Sequence, residues 1–323
     1  MKSLVKYITR RLLGTIPMIV LISIILFTLL QLAPGDPLAG KLDQHADANY
    51  IAKLKEDFGL DKPPVEQFFF WAKNFVQGNF GVSFDKKVLV QDLLSERIGK
   101  TVFLGIVSLI FTYMIAIPLG ILSANKPYSK LDYTLTSASF IGFSMPSFFA
   151  GLLLIYLFGF QLGWFPYSGS ETEASGYEGL EYLMDRLHHV ILPAMTLAII
   201  NIAQYNRYVR ASVLDAKAQD YTRTARSKGL SESKVLRKHV LRNALIPLVT
   251  LFGIDLGLLL SGAIITETIF GFPGVGQLYI QSITTRDYPV VMAITMMTSM
   301  AVLIGNLIAD ILYAFVDPRI KYD

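Results

Sequence analysis

Three stretches of this 323-residue chain carry no charged side chain over 24, 25 and 21 residues: Leu12 to Gly35, Thr101 to Asn125 and Pro289 to Ala309. About 20 apolar residues in a helix cross the hydrocarbon layer of a bilayer, so each run predicts a membrane span. The chain is 53% hydrophobic and 17% charged, and the charges are bunched between the runs. Soluble globular domains are not built that way.

Three further segments complete the count. Tyr133 to Ser170 is uncharged over 38 residues, but Gly159 to Gly169 turns into Gly, Trp, Pro and Tyr. This reads as one span near Thr134 to Phe160 followed by interfacial backbone, with Trp164 near the headgroups. Two tightly joined spans would need about 40 residues plus a turn and would reverse every later segment. Val190 to Asn206 reads as a short span. Asn243 to Thr266 reads as a full-length one, interrupted by Asp255.

Lys and Arg set the orientation. Lys2, Lys6, Arg10 and Arg11 precede the first span, Lys126 and Lys130 follow the second, and Arg207 to Arg242 holds ten basic residues against three acidic. Glu171 to Asp185 holds five acids and no basic residue, and the connection before the last span has only Arg286. Positive-inside sorting then predicts an all-α integral membrane protein of six transmembrane helices, with both termini cytoplasmic. The same asymmetry accounts for the net charge of +4 and the pI near 9 without nucleic acid. The first apolar run is too long for a cleaved signal. The expected organisation is a cytoplasmic start and first span (1–35), an extracytoplasmic domain (36–100), a five-helix core (101–309) and a cytoplasmic tail (310–323). A cytoplasmic loop at 207–243 lies within the core. In the external segment, Tyr50 to Phe58 has helical spacing, and Phe68, Phe69, Phe70, Trp71 and Phe75 form an apolar cluster suited to packing.

Catalytic chemistry is scarce. With no Cys, thiolate nucleophiles, thiolate metal sites and disulfides are excluded, and single introduced cysteines, such as Ser170→Cys, can report topology. His45, His188, His189 and His239 supply at most an adjacent pair on one side, too few for a zinc site. Gly99, Lys100 and Thr101 resemble the end of a phosphate loop, but its first glycine would fall on Leu94. Pro17, Pro118, Pro146, Pro193, Pro247 and Pro289 sit in or at the ends of spans, as static kinks or hinges. Asp255 is the one ionisable residue well inside a predicted span. Burying it there costs about 2.5–3.5 kcal/mol on insertion scales. It is a candidate for a translocation path, or a carboxylate facing another subunit.

The segment Asp220 to Pro247 reads DYTRTARSKGLSESKVLRKHVLRNALIP. It predicts a polar helix, a left-handed glycine at Gly229, an amino cap at Ser231 and an amphipathic helix entering the fifth span. Such a pair of helices on the membrane face suits a cytoplasmic partner, or lipid headgroups.

This loop resembles the signature of binding-protein-dependent ABC permeases, a Glu-Ala-Ala, three residues, Gly pattern, at Arg223, Thr224, Ala225 and Gly229. It departs from that pattern at the first two positions. It is more similar to the Asp-Tyr-x-Arg-Thr-Ala-Arg-x-Lys-Gly-Leu variant of the oligopeptide, dipeptide and nickel permease family, beginning at Asp220. Other blocks resemble that family's first permease: Ala33 to Pro37, Phe58 to Asp61, Gly78 to Gly81, Met145 to Phe148, Leu241 to Ala244 and Glu267 to Gly274. The resemblance implies a type I ABC importer permease in the cell membrane of a prokaryote, moving oligopeptides or dipeptides by alternating access. It implies a second permease subunit, two ATPase subunits and an extracytoplasmic substrate-binding protein as partners. No cofactor is expected on this chain, with ATP and magnesium on the ATPases. Asp220, Arg223, Thr224, Ala225 and Gly229 would then be the ATPase-coupling residues. Nickel and glutathione are alternative cargoes, and a membrane receptor or scaffold docking a cytoplasmic partner is the reading from another class.

Overall fold

The computed structural model describes residues 2–32, 62–259 and 263–316. The sequence assignments at Ala33 to Pro37, Tyr50 to Phe58, Phe58 to Asp61 and His45 lie outside the described residues. Every named element among the described residues is helical.

The chain opens with α1 (Lys2–Leu32), which runs through Pro17. A short α2 (Pro64–Val76) follows, with Pro64 at the first helical position, where its missing N–H costs nothing. Two of its aromatic residues pack as the sequence suggested, whereas Phe69 is exposed: Trp71 and Phe75 lie with Ile22, Phe27 and Leu30 of α1 against Met292 and Met296 near the far end of the chain. Next come α3 (Val90–Asn125), α4 (Lys130–Ser144) and α5 (Ser147–Leu154), the last continuing as a wider π-type turn over Ile155–Gln161. The longest helix is α6 (Gly179–Ala218), 40 residues or about 60 Å at 1.5 Å per residue. Beyond it are α7 (Asp220–Ser227), α8 (Glu232–Val235), a π-type turn (Leu236–Val240), α9 (Leu241–Ala244) and α10 (Ile246–Leu258). The chain closes with α11 (Ile264–Ile269), α12 (Val275–Thr284) and α13 (Tyr288–Val316).

Among the described residues four helices, α1, α3, α6 and α13, are long and apolar enough to cross a membrane, and the total is six if each of two bent pairs is one span. One pair bends by 105° where α4 meets α5, at Met145 and Pro146; the other bends by 43° where α9 meets α10, just before Pro247. The third predicted span is therefore sharply broken, and α4 alone, at 15 residues, reaches about 22 Å.

Two other expectations need correction. Asn243 to Thr266 is not one continuous helix, since α10 stops at Leu258 and α11 starts at Ile264. Val190 to Asn206 is only the middle of α6, which extends about three turns into more polar sequence at each end. Helix α3 likewise begins eleven residues before Thr101 and crosses the 100/101 boundary without a break. These extensions carry charges that find partners outside the apolar part. Lys100 Nζ lies 3.3 Å from Glu171 Oε1, and the Tyr182 hydroxyl donates to Glu171 Oε2 at 2.7 Å. The Tyr182 bond, with Lys100, holds the Glu171 carboxyl below its ordinary pKa, so this tie is present at neutral pH and is lost as acid protonates it.

The core divides along the bundle. α3 packs mainly on α6, and α10 mainly on α13. Gly253 and Gly257 of α10 face Ala309 and Gly305 of α13 so closely that a Cβ at Gly253 would lie 2.5 Å from the Ala309 Cα. One at Gly257 would lie 2.8 Å from the Gly305 Cα. Small residues at i and i+4 let the two backbones touch, the usual means of helix association in lipid. One buried cluster, containing Val209, Val213, Ala225, Val235, Val240 and Leu248, joins α6 to the loop helices and α10. At the other end Val90, Leu94, Leu278, Val290 and Ile294 join α3 to α12 and α13.

Ser170 is buried, its relative exposure being 4%, so it is a poor topology reporter. Ser175 and Ser227 are exposed. In this cysteine-free chain, Ser175→Cys should react with an impermeant thiol reagent in intact cells, and Ser227→Cys only after permeabilisation. Reaction of both from one side would overturn the six-span topology.

Candidate functional site

The loop after α6 turns sharply at Gln219. The Thr222 hydroxyl donates to the Ala216 carbonyl at 2.8 Å, near the end of the preceding helix, where the Gln219 N–H makes only a longer bond of 3.4 Å to the same acceptor. Thr222 and Ala225, three apart on α7, are buried against the end of α6, with Ala225 in the same cluster as Val213 and Val235. Arg223, Thr224, Ser227 and Lys228 face outward. Gly229 follows α7 with φ +75°, the left-handed conformation expected from sequence, and a Cβ built there meets nothing within 4 Å.

Ser231 stands at the amino-cap position of α8, but its side chain makes no cap bond; only its carbonyl accepts, from the Lys234 and Val235 N–H groups at 2.9 Å. A different contact closes the turn. The Arg226 guanidinium grips Glu232 with two bonds, Nε to Oε1 at 2.7 Å and Nη2 to Oε2 at 3.3 Å, bracketing Gly229. Asp220 and Arg223 make a looser, highly exposed pair at 3.7 Å, and the Thr224 hydroxyl donates to the Asp220 carbonyl. Of the residues singled out from sequence, Asp220, Arg223, Thr224, Ala225 and Gly229 thus share one helix–turn–helix surface. Ala225 forms its buried side, and Asp255 lies elsewhere.

Where the loop meets the spans, a polar network that sequence reasoning missed fixes the turn between α3 and α4. Asp132, 3% exposed, accepts two bonds from Arg210 of α6 (Nε to Oδ1 and Nη2 to Oδ2, both 2.7 Å) and one from the Tyr128 N–H at 2.8 Å. The Ser123 hydroxyl donates to it as well. Lys217 adds a bond to the Ala124 carbonyl at 2.8 Å.

Asp255 lies on α10, half-buried. The Tyr113 hydroxyl of α3 donates to its Oδ2 at 2.6 Å, and the Tyr205 hydroxyl of α6 lies 2.8 Å from both carboxylate oxygens. The two tyrosine rings are 5.4 Å apart, and Phe252, one turn before Asp255, meets Tyr113 edge-on at 5.7 Å. Nothing in the sequence singled out the two tyrosines.

The Glu267 to Gly274 block has a structural explanation. Glu267 is fully buried; Thr101 donates to its Oε1 at 2.9 Å, and the Gln277 N–H at the start of α12 donates to its Oε2 at 2.9 Å. Its carboxylate lies directly against Gly274, and a Cβ at Gly276 would come within 3.0 Å of Oε2. A carboxylate at a helix amino terminus complements the exposed N–H groups, and glycine permits the close approach. Asp287 does similar work, accepting from Ser83 and, at 2.9 Å, from the Phe84 N–H. His188 and His189 lie within α6 and bond to the Trp164 and Asp185 carbonyls at 2.7 and 2.9 Å. Among the described residues no group of three or more potential ligands could hold a metal ion.

Residues 116–322 match the profile of the binding-protein-dependent transport system inner membrane component, and residues 4–105 match that family's N-terminal region. The chain belongs to this family. The permease is 45% identical over 317 residues to the oligopeptide transport system permease protein AppB of Bacillus subtilis (strain 168), covering 98% of this chain and 99% of that one. It is 37% identical to the glutathione transport system permease protein GsiC of Escherichia coli (strain K12), covering 99% and 100%. A solved chain of the MetNI methionine ABC transporter aligns with 70% of the permease and 97% of its own length, at TM-score 0.54 and 18% identity, which shows a common fold. The permease therefore has the type I ABC importer fold and is a multi-pass membrane component of a transport system.

Proposed function

We propose that this chain is one of two membrane-spanning subunits of an ATP-driven importer for oligopeptides or dipeptides. A second permease completes the pathway, two ATPase subunits carry ATP and magnesium on the cytoplasmic side, and an external binding protein delivers the peptide. The full-length likeness to a bacterial oligopeptide permease supports the substrate class. The α7–Gly229–α8 surface supports the coupling role: a two-helix projection rooted on α6 by Thr222 and Ala225 and continuous through α9 with the α10 span. An ATPase that grips Asp220, Arg223 and Thr224 differently in its open and closed states would shift the balance between outward- and inward-open permease by that difference in affinity. Glutathione, itself a tripeptide, is the narrower cargo that the second relative favours.

Reconstitution in vesicles with the partner subunits should give ATP-dependent accumulation of a labelled dipeptide or oligopeptide. Uptake of glutathione alone would narrow the reading to that cargo, and uptake of neither would overturn it. The purified chain without partners should hydrolyse no ATP, since Gly99, Lys100 and Thr101 lie inside α3 and form no phosphate loop.

A further inference from the structure

Three helices that are far apart in sequence bring Asp255, Tyr113 and Tyr205 to one point within the spanning part of the bundle. Two hydroxyl donors satisfy part of the hydrogen-bonding capacity of a carboxylate, which has about four acceptor positions, but they bring no opposite charge. No ion pair among the described residues involves Asp255. Aromatic rings flank the cluster: Phe252 is 39% exposed, and the Tyr113 ring lies 5.7 Å from it and 5.4 Å from Tyr205. A carboxylate walled by aromatic rings is the chemistry that recognises an organic ammonium, by a charge-assisted hydrogen bond and by attraction to the ring faces.

We propose that Asp255, oriented by Tyr113 and Tyr205 and flanked by Phe252, is a transient binding site for an ammonium group of the substrate on its way through the permease. This rests on the reading of the chain as a peptide importer. The ammonium is the amino terminus of a peptide or a lysine side chain, which present the same group. Static pairing with a cation of the second permease is the competing outcome. A carboxylate inside a span is expensive unless it is paired or wetted, and ionisable groups in that position mark substrate and ion pathways.

The absence of native cysteine makes the test direct. In the assembled transporter, Phe252→Cys is modified with an ammonium-bearing methanethiosulfonate and with a neutral one of similar size, with Asp255 present and as Asp255→Asn. The cationic reagent should be preferred at least about tenfold, as for a negatively charged cleft, and the preference should vanish in Asp255→Asn. No reaction would place the cluster against lipid or protein, and equal rates for the two reagents would mean that its charge is already paired; either result overturns the proposal. During ATP turnover, an unblocked peptide lacking lysine and an N-acetylated peptide carrying one lysine are compared as protectants of the thiol introduced by Phe252→Cys. Protection by either supports the site and identifies which ammonium it takes, whereas protection by neither overturns it. The reagent preference is read without peptide, so it can hold even if peptide uptake fails.

Discussion

Arg210→Met is expected to destabilise the folded permease by about 3–5 kcal/mol, because it strands the Asp132 carboxylate in a buried site. Asp132 is 3% exposed and takes two 2.7 Å bonds from that guanidinium. No nearby conformational escape is evident, since the turn that carries Asp132 is held by its own bond to the Tyr128 N–H, and Tyr128 sits at φ +63°. The double variant Asp132→Leu/Arg210→Met should recover part of the loss, because apolar replacement of a whole buried pair is often near neutral. Recovery should stay incomplete, as the Tyr128 N–H and Ser123 hydroxyl would lose their acceptor. Thermal denaturation in detergent reads all three proteins. A single variant as stable as the wild type would show that the pair contributes nothing to the fold.

Gly229→Val should abolish ATP-dependent uptake while leaving membrane insertion and subunit assembly intact. The glycine is at φ +75° and a Cβ there meets nothing within 4 Å, so the main effect of the substitution falls on the backbone. Holding an ordinary residue in that region costs about 1–2 kcal/mol, which is small against the fold. The turn instead relaxes and swings α8 relative to α7, misplacing the surface offered to the ATPase. Gly229→Asn, which tolerates left-handed backbone, should retain most uptake, and the exposed Ser233→Val should retain all of it. Uptake by vesicles and protein level in the membrane separate the outcomes. Wild-type uptake in the valine variant would remove the coupling role from this turn, and loss of the protein from the membrane would make Gly229 a folding residue.

The membrane-crossing helices were legible because an uncharged run long enough to cross a bilayer has few other uses. Their ends were not. α3 and α6 continue into charged sequence whose partners, such as Glu171 for Lys100 and Asp132 for Arg210, are tens of residues away. Pro146 marked a break, but the 105° bend beside it depends on what α4 and α5 each pack against, and no local rule sets it. In the loop, the backbone of Gly229 followed from residue type. The missing cap bond of Ser231 did not, since the Arg226–Glu232 grip that closes the same turn is equally compatible with the sequence. Asp255 stood out as a lone carboxylate, whereas Tyr113 and Tyr205 gained meaning only when the fold brought them to it. Glu267 was noticed as part of a block, and its role needed the neighbouring Gly274 and Gly276 in three dimensions.

The seam formed by Gly253, Gly257, Gly305 and Ala309 determines where a mutant library for altered cargo is worth sampling. Any side chain at Gly257 must push the last helix away along its length, because it would meet backbone that cannot rotate aside. Random mutagenesis at these four seam positions would therefore return mostly broken transporters, whatever selection is applied. The faces of α4, α5 and the following π-type turn that bear Phe140, Phe148 and Tyr156, each at least half exposed, can accept new shapes without that penalty. Diversity introduced there, with the glycine seam held fixed, should yield a far higher share of assembled permeases.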